Sequence, residues 1–199
     1  MDKIVLASNN AGKVREINEL LKAYDINVVP QGDYDVDEIA ETGLTFVENA
    51  IIKARYAALK TGLPAIADDS GIEVDALNGA PGIYSARFSG EDASDKDNNK
   101  KLLQELKDIP GEKRTARYRC VMVFMRHAAD PTPIIASGSW EGVILESAKG
   151  SGGFGYDPLF YIPTHQCTAA ELSAELKNKL SHRSKALISL LHELQESAL

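Results

Sequence analysis

Cysteine is scarce in this chain: Cys120 and Cys167 are the only two in 199 residues. They lie far apart and lack CxxC spacing, which argues against a structural zinc or a disulfide framework and fits reduced thiols in the cytoplasm. No apolar run approaches the length of a membrane span, and Met-Asp-Lys enters a strand without a basic leader or an apolar segment, so neither membrane insertion nor export is expected. Basic charge is also short. Lys and Arg number 22 against 29 Asp and Glu, a net charge of -7, so the overall field repels polyanions and disfavours binding to nucleic-acid polymers. A local basic pocket can still hold a small anion. Internal repeats, low-complexity tracts and linkers are absent too. Residues 1–199 therefore read as one domain, or as two lobes sharing a sheet, and 44% hydrophobic residues suffice for a substantial core.

Several catalytic signatures are missing. The pattern GxxxxGK[ST] does not occur, which disfavours a Walker-type nucleotidase, and no GxSxG elbow accompanies any serine. No histidine pair has metal-ligand spacing, and His165-Gln-Cys167 is a coincidence in a loop. Gly150-Ser-Gly-Gly-Phe-Gly155 formally matches GxGxxG, but a dinucleotide fingerprint must open a helix. Here Tyr156-Asp-Pro-Leu-Phe-Tyr-Ile-Pro163 follows, with two prolines and aromatics that favour extended chain. The loop carrying Phe154, Gly155, Tyr156 and Asp157 fits better as a close wall for a planar base, or else as a tight turn with core aromatics.

What is present begins at the N-terminus. An apolar strand at residues 3–7 runs into Ser8-Asn-Asn-Ala-Gly-Lys13 and then a helix, whose backbone donors make a phosphate site. The alternative is an ordinary connection in which Asn10 caps the helix and Lys13 is solvated. A helix terminus contributes only about 0.3 to 1 kcal/mol to anion binding, so a triphosphate needs further cations, for which Lys13, Lys53 and a metal are candidates. A second strand, at 64–67, is expected to end in Asp68 and Asp69. Two carboxylates at the carboxyl end of a strand stand where open α/β sheets place ligands, and they suit a hard cation or an activated water. The competing reading has them capping a turn before Ser70-Gly71. Glu38 and Glu41 are candidates for a further metal ligand.

Helical spacing of Val14, Ile17, Leu20, Leu21 and Tyr24 predicts a helix over about 11–24, and Ile26–Val29 reads as a strand. Thr45-Phe-Val-Glu48 is a capping box opening a helix with Phe46, Ala50, Ala54 and Ala57 inward, Asn49 and Lys53 on its polar side, and an end near Gly62. A charged helix at about 94–108 is anchored by Leu102, Leu103 and Leu106. Arg117–His127 and Pro133–Glu146 read as adjacent strands joined by Ala128-Ala-Asp-Pro-Thr132, which predicts a mixed sheet. Two helices finish the chain, the first opened by the capping box Thr168-Ala-Ala-Glu171, the second striped by Ala186, Leu187, Leu190, Leu191 and Leu194. Ser181-His-Arg183 starts the last helix, and on the plain reading Ser181 is its cap and His182 and Arg183 are solvated.

Six motifs then occur in order: Ser8-Asn-Asn-Ala-Gly-Lys13, Glu41-Thr-Gly-Leu-Thr-Phe-Val-Glu-Asn-Ala50, Ala67-Asp-Asp-Ser-Gly71, Gly79-Ala-Pro-Gly-Ile-Tyr-Ser-Ala-Arg87, Gly153-Phe-Gly-Tyr-Asp-Pro158 and Ser181-His-Arg183. Together, over essentially the whole chain, they closely resemble the inosine/xanthosine triphosphate pyrophosphatase family in its bacterial form. The resemblance implies an α/β fold of two lobes around a long mixed β-sheet with flanking helices, an active cleft between the lobes, and a homodimer. It implies magnesium-dependent hydrolysis of non-canonical purine nucleoside triphosphates to the monophosphate and pyrophosphate, which cleanses the nucleotide pool. Carried onto this chain, Ser8, Asn9, Asn10, Ala11, Gly12 and Lys13 would hold phosphates, joined by Lys53. Asp69 would be the general base and a metal ligand with Glu41, and Asp68 would support it. Ser70 would contact substrate, Phe154 to Asp157 would enclose the nucleoside, and Lys177, His182 and Arg183 would complete its contacts. Two competing readings are a pyrophosphatase for other modified nucleotides and a non-catalytic nucleotide sensor; the latter would need neither Asp69 nor an activated water.

Overall fold

Short apolar runs at Ile4–Leu6 (β1) and Val28–Pro30 (β2) flank an amphipathic helix, Ala11–Leu21 (α1), and β2 pairs parallel to β1 with Ile4 opposite Val28. This is a βαβ winding, and a second crossover through Phe46–Thr61 (α2) brings Ala65–Val74 (β3) parallel to the other side of β1, with Val5 opposite Ala65. The computed structural model describes residues 3–21, 26 and 28–197. Tyr24, placed above on the first helix, lies outside the described residues.

Asp95–Glu105 (α3) precedes two long strands, Thr115–Met125 (β4) and Ile134–Ile144 (β5). Phe160–Ile162 (β6) and Cys167–Thr168 (β7) follow, each antiparallel to its predecessor in the sheet, and the helices Ala174–Leu180 (α4) and His182–Ser197 (α5) end the chain. Among the described residues the sheet has seven strands in the order β2-β1-β3-β4-β5-β6-β7, with parallel and antiparallel pairs. The fold is thus α/β with a mixed sheet and flanking helices. No helix among the described residues is long and apolar enough to cross a membrane.

The chain gathers into two compact units, neither contiguous in sequence: Met1–Asp69, Cys120–Gly138 and His182–Leu199 make the first, Ser70–Arg119 and Ser139–Ser181 the second. In the first unit the two sheet faces have separate cores. Leu6, Ile66 and Met122 pack with Ile17 and Leu21 of α1 and Ala186, Leu187 and Leu190 of α5. Val5, Ala65 and Ala67 pack instead with Ala50, Ala54 and Ala57 of α2. Successive strand residues therefore face opposite helices, the period of two that a β-strand imposes. In the second unit Leu102 of α3 and Leu106, which follows its last turn, pack against Tyr118, Trp140 and Phe160. The Phe160 ring centroid lies 4.6 Å from that of Tyr118 and 5.4 Å from that of Trp140.

Three expectations are corrected. The strand expected at 64–67 runs on to Val74, so Asp68 and Asp69 lie in mid-strand rather than at its end, and no turn precedes Ser70-Gly71. Burial of two adjacent carboxylates is tolerated because both are ion-paired, Asp68 with Lys13 and Arg183 and Asp69 with Lys53. The capping box at Thr168 and Glu171 forms, yet it opens only a short 3-10 turn, Ala169–Glu171; Leu172 then reverts to extended backbone and Ser173 caps α4. The box at Thr45 is altered too: Thr45 Oγ1 accepts from Glu48 N, but Glu48 Oε2 accepts from Leu44 N and the Thr45 hydroxyl. Gly62, at φ 68°, closes α2 as expected.

Candidate active site

Asp68 and Asp69 are both buried, on opposite faces of β3. On the face covered by α1 and α5, Asp68 Oδ2 lies 3.1 Å from Lys13 Nζ and 3.5 Å from Arg183 Nε. The other side of the Arg183 guanidinium is ion-paired to Glu16, one helical turn after Lys13. Burial alone would raise the Asp68 pKa, but Lys13 and Arg183 hold its carboxyl well below the usual carboxylate range. The solvated alternative for Arg183 and His182 is thereby overturned, since both are buried. Gly138 of β5 seats the start of α5: a Cβ there would overlap the His182 carbonyl and the Ala186 amide, so only glycine permits this approach.

On the face covered by α2, Lys53 Nζ lies 3.1 Å from Asp69 Oδ1 and 2.6 Å from Glu41 Oε1. Asn49, one turn before Lys53, is wholly buried and donates to Asp69 Oδ2 over 3.3 Å. The polar side of α2, which carries Asn49 and Lys53, is thus turned onto the carboxylate. Burial pushes the Asp69 carboxyl above its ordinary value and the Glu41 charge adds to this, outweighing the Lys53 ammonium. Burial alone would depress the Lys53 pKa, but Asp69, Asp68 and Glu41 together raise it. Two hard oxygen donors converging on one cation are also a donor set that suits a divalent ion sharing its remaining positions with phosphates and water. Glu38 is exposed and has no such convergence.

The N-terminal turn combines parts of both readings. Asn10 Oδ1 accepts from the Gly12 and Lys13 amides, at 3.0 and 3.1 Å, and so caps α1, as the plain alternative had it. Lys13, however, is engaged by Asp68 rather than solvated. Ser8 Oγ accepts from the Asn10 amide, and Asn9, Asn10 and Ala11 are exposed.

The second unit carries the glycine-rich loop. Asp157 is buried and its Oδ2 accepts from Lys177 Nζ at 2.7 Å and from the Phe154 amide at 2.9 Å, while Oδ1 accepts from the Tyr118 hydroxyl. Lys177 Nζ also stands over the Phe154 ring, 4.6 Å from its centroid. Gly153 has φ 72°, and a Cβ there would collide with the Asp157 carboxylate. Tyr156 is a core residue whose hydroxyl donates to the Ser85 carbonyl, so the aromatic that this loop presents is Phe154 rather than Tyr156, and Lys177 reaches it from α4. Ser70, half-buried in β3, belongs to this unit.

Glu16 and Asn49 carry geometry that the sequence reading did not assign to the site. Their signal was helical spacing: Glu16 follows Lys13 by three positions and Asn49 precedes Lys53 by four.

The Ham1 family model matches residues 4–193. A dITP/XTP pyrophosphatase of Photobacterium profundum is 58% identical over 197 residues, covering 99% of this chain and all of that one. One of Shigella flexneri is 60% identical over 195 residues, covering 98% and 99%. Among solved structures, a HAM1 protein from Coxiella burnetii superposes with a TM-score of 0.91 at 50% identity, covering 98% of this chain and 100% of that chain. The Staphylococcus aureus Ham1 protein gives a TM-score of 0.86 at 41% identity, covering both chains in full.

Proposed function

The chain belongs to the Ham1 family, and from that membership, with Lys53 held between Glu41 and Asp69, we infer that it is a pyrophosphatase of non-canonical purine nucleoside triphosphates. Its substrates are dITP, ITP and XTP, its products the nucleoside monophosphate and pyrophosphate. The observation that carries the chemistry is a buried carboxylate, Asp69, within ion-pair distance of a lysine and oriented by Asn49.

Water attacks the α-phosphorus, the bond to the β-phosphate oxygen breaks, and pyrophosphate leaves. Asp69 takes the proton of the attacking water. Lys53 and Lys13 neutralise charge on the phosphates, the second steadied by Asp68. Ser8 to Gly12 line the phosphate turn. Asn10 already satisfies two amides there, so it either yields them to phosphate or leaves contact to its own side chain and Lys13. Glu41 and Asp69 would hold magnesium, which would supply further positive charge for the leaving group. Phe154 stacks on the base, Lys177, His182 and Arg183 complete the nucleoside contacts, and Ser70 touches substrate. Asp157 organises Phe154 and Lys177.

As part of the same reading, residues 1–199 act as one functional domain, since each compact unit is assembled from separated segments. We place the enzyme in the cytoplasm, where its substrates arise, and expect it to be a homodimer. Incubation with dITP and magnesium tests the reaction: pyrophosphate should appear in equal amount to dIMP. Orthophosphate as the released product would overturn the site of attack, and binding without turnover would favour a nucleotide sensor.

A further inference from the structure

Helix α3 is the most polar helix of the second unit, and nothing in the chemistry above uses it. Its first turns nevertheless bear on the glycine-rich loop. Asp95 Oδ2 accepts from the Gly155 amide at 2.7 Å, and Asn99 Nδ2 donates to the Gly155 carbonyl at 2.8 Å. Asp95 and Asn99 are four positions apart, hence on one face of the helix. They grip the two backbone groups of a single residue, and that residue has φ 62°, immediately after Phe154 and before Tyr156 and Asp157. Asn99 Nδ2 also donates to the Asp95 carbonyl at 2.7 Å, so the two jaws are tied to each other.

These bonds are not needed to start the helix. Ser94 caps α3 and forms a full capping box with Asp97, leaving Asp95 for the loop. Asn99 Oδ1 accepts no hydrogen bond among the described residues, so the contacts of this side chain are the two that its Nδ2 donates. On its inner face the helix is pinned by Asn98, which is buried, accepts from the Ser89 amide and donates to the Ala86 carbonyl. That ties α3 to the segment continuing Gly79–Arg87, the motif left without a role. Ser85 of that motif accepts from the Tyr156 hydroxyl through its carbonyl. The loop is thus braced through Gly155 from α3 and through Tyr156 from the motif.

We propose that Asp95 and Asn99 are positioning residues for nucleoside binding: by clamping the Gly155 backbone they hold Phe154 and Asp157, and with them Lys177, in the geometry that accepts the base. This rests on the reading of Phe154–Asp157 as the nucleoside wall. The clamp touches no reacting atom, so its loss costs binding rather than chemistry, in keeping with the sensitivity of a preorganised site to small displacements of its support.

The test uses the full chain, dITP with saturating magnesium, and pyrophosphate release. Asp95→Ala and Asn99→Ala should each raise KM about tenfold while kcat stays within about twofold. Asp95→Asn retains an acceptor for the Gly155 amide and should recover most of the lost affinity, whereas a helix-charge effect would leave it as impaired as Asp95→Ala. In a Phe154→Ala background the clamp variants should raise KM little further, because the residue they position is gone. An unchanged KM in both alanine variants, with Phe154→Ala impaired, would overturn the clamp and leave the nucleoside wall standing. If Phe154→Ala binds normally while the clamp variants do not, the stacking assignment fails and the clamp acts through Asp157 and Lys177. If all three bind normally, both fall. A loss of affinity that merely follows a lowered Tm across the variants, persisting undiminished beside Phe154→Ala, would also overturn the proposal.

Discussion

Asp68 and Asp69 are neighbours in sequence and face away from each other across β3, the first toward Lys13 and Arg183, the second toward Lys53 and Asn49. They sit on opposite faces of the strand, so after burial each carboxylate is set first by the cation on its own face, with a lesser pull from the lysine on the other. Asp68 is neutralised from two sides and held strongly acidic, which suits a structural anion steadying two cations. Asp69 shares one lysine with Glu41, and it is the carboxylate to which the proposed mechanism gives the proton and the metal.

The two aspartates should therefore fail differently. Asp69→Asn is expected to fold normally and lose at least about a hundredfold in kcat, the lower end of general-base contributions. Asp68→Asn should instead lose stability by about 3 to 5 kcal/mol, because Lys13 and Arg183 lose their common partner in a buried site. Urea denaturation beside pyrophosphate-release kinetics checks both. Near wild-type turnover in Asp69→Asn would remove it from the role of base.

Lys13→Ala and Lys53→Ala should each lower kcat/KM for dITP by about ten- to a hundredfold, the worth of a charge-assisted contact to phosphate. Their side effects should diverge. Removal of Lys53 leaves Glu41 and Asp69 facing each other without the shared ammonium, so Lys53→Ala should be half-stabilised at a lower magnesium concentration than Lys13→Ala. Thermal melts across a magnesium series give this comparison; equal activity of both variants with wild type would misplace the phosphate site.

Two kinds of contact should govern base selection. Donors aimed at the ring carbonyl of inosine and xanthosine would oppose the amino group of adenine, and an unmet buried partner costs about 1 to 3 kcal/mol. Arg183→Ala should narrow the preference for ITP over ATP and also lower Tm, since the guanidinium is buried between Glu16 and Asp68. Phe154→Ala should weaken both substrates alike, stacking being blind to the exocyclic group. The ratio of kcat/KM for ITP and ATP decides: no change in Arg183→Ala would end its assignment as a base reader.

Much of the fold was legible because local signals agreed with tertiary packing. The stripe Ala186, Leu187, Leu190 and Leu191 and the alanines of α2 each face one core cluster. What failed was the end of β3, because carboxylates ordinarily stop a buried strand and nothing local to Asp68-Asp69 discloses that Lys13, Lys53 and Arg183 await them. Thr168 misled for the converse reason: its capping box is a local motif that forms as read, but the turn after it has no helix to propagate into. At the site, the motifs singled out Lys13, Lys53, Asp68, Asp69 and Arg183, which the fold brings into ion pairs. The grip of Asp95 and Asn99 on Gly155 joins positions 60 and 56 residues apart, and α3 gives no sign of it in its own sequence.

Acid should loosen the connection between β4 and β5. Asp130 is buried in that turn and accepts from the Arg126 side chain at 2.6 and 2.9 Å and from the Arg126 and Thr132 amides at 3.0 Å each. The Arg126 side-chain bonds above all, then the amides, hold its carboxyl well below the usual range. Its folded pKa is thus depressed relative to the unfolded chain, where an aspartate titrates near about 3.9. The sign follows: the stabilisation is fully present above that value and is lost as pH falls through the folded pKa. Asp130→Asn should be less stable than wild type by about 1 to 3 kcal/mol at neutral pH, with solvent screening of the exposed Arg126 keeping it toward the lower end. Urea unfolding at pH 7, 5, 4 and 3 should show that deficit constant down to about pH 5 and shrinking below about pH 4. A deficit that stayed level or grew through pH 3 would mean that the Asp130 charge contributes nothing to holding the turn.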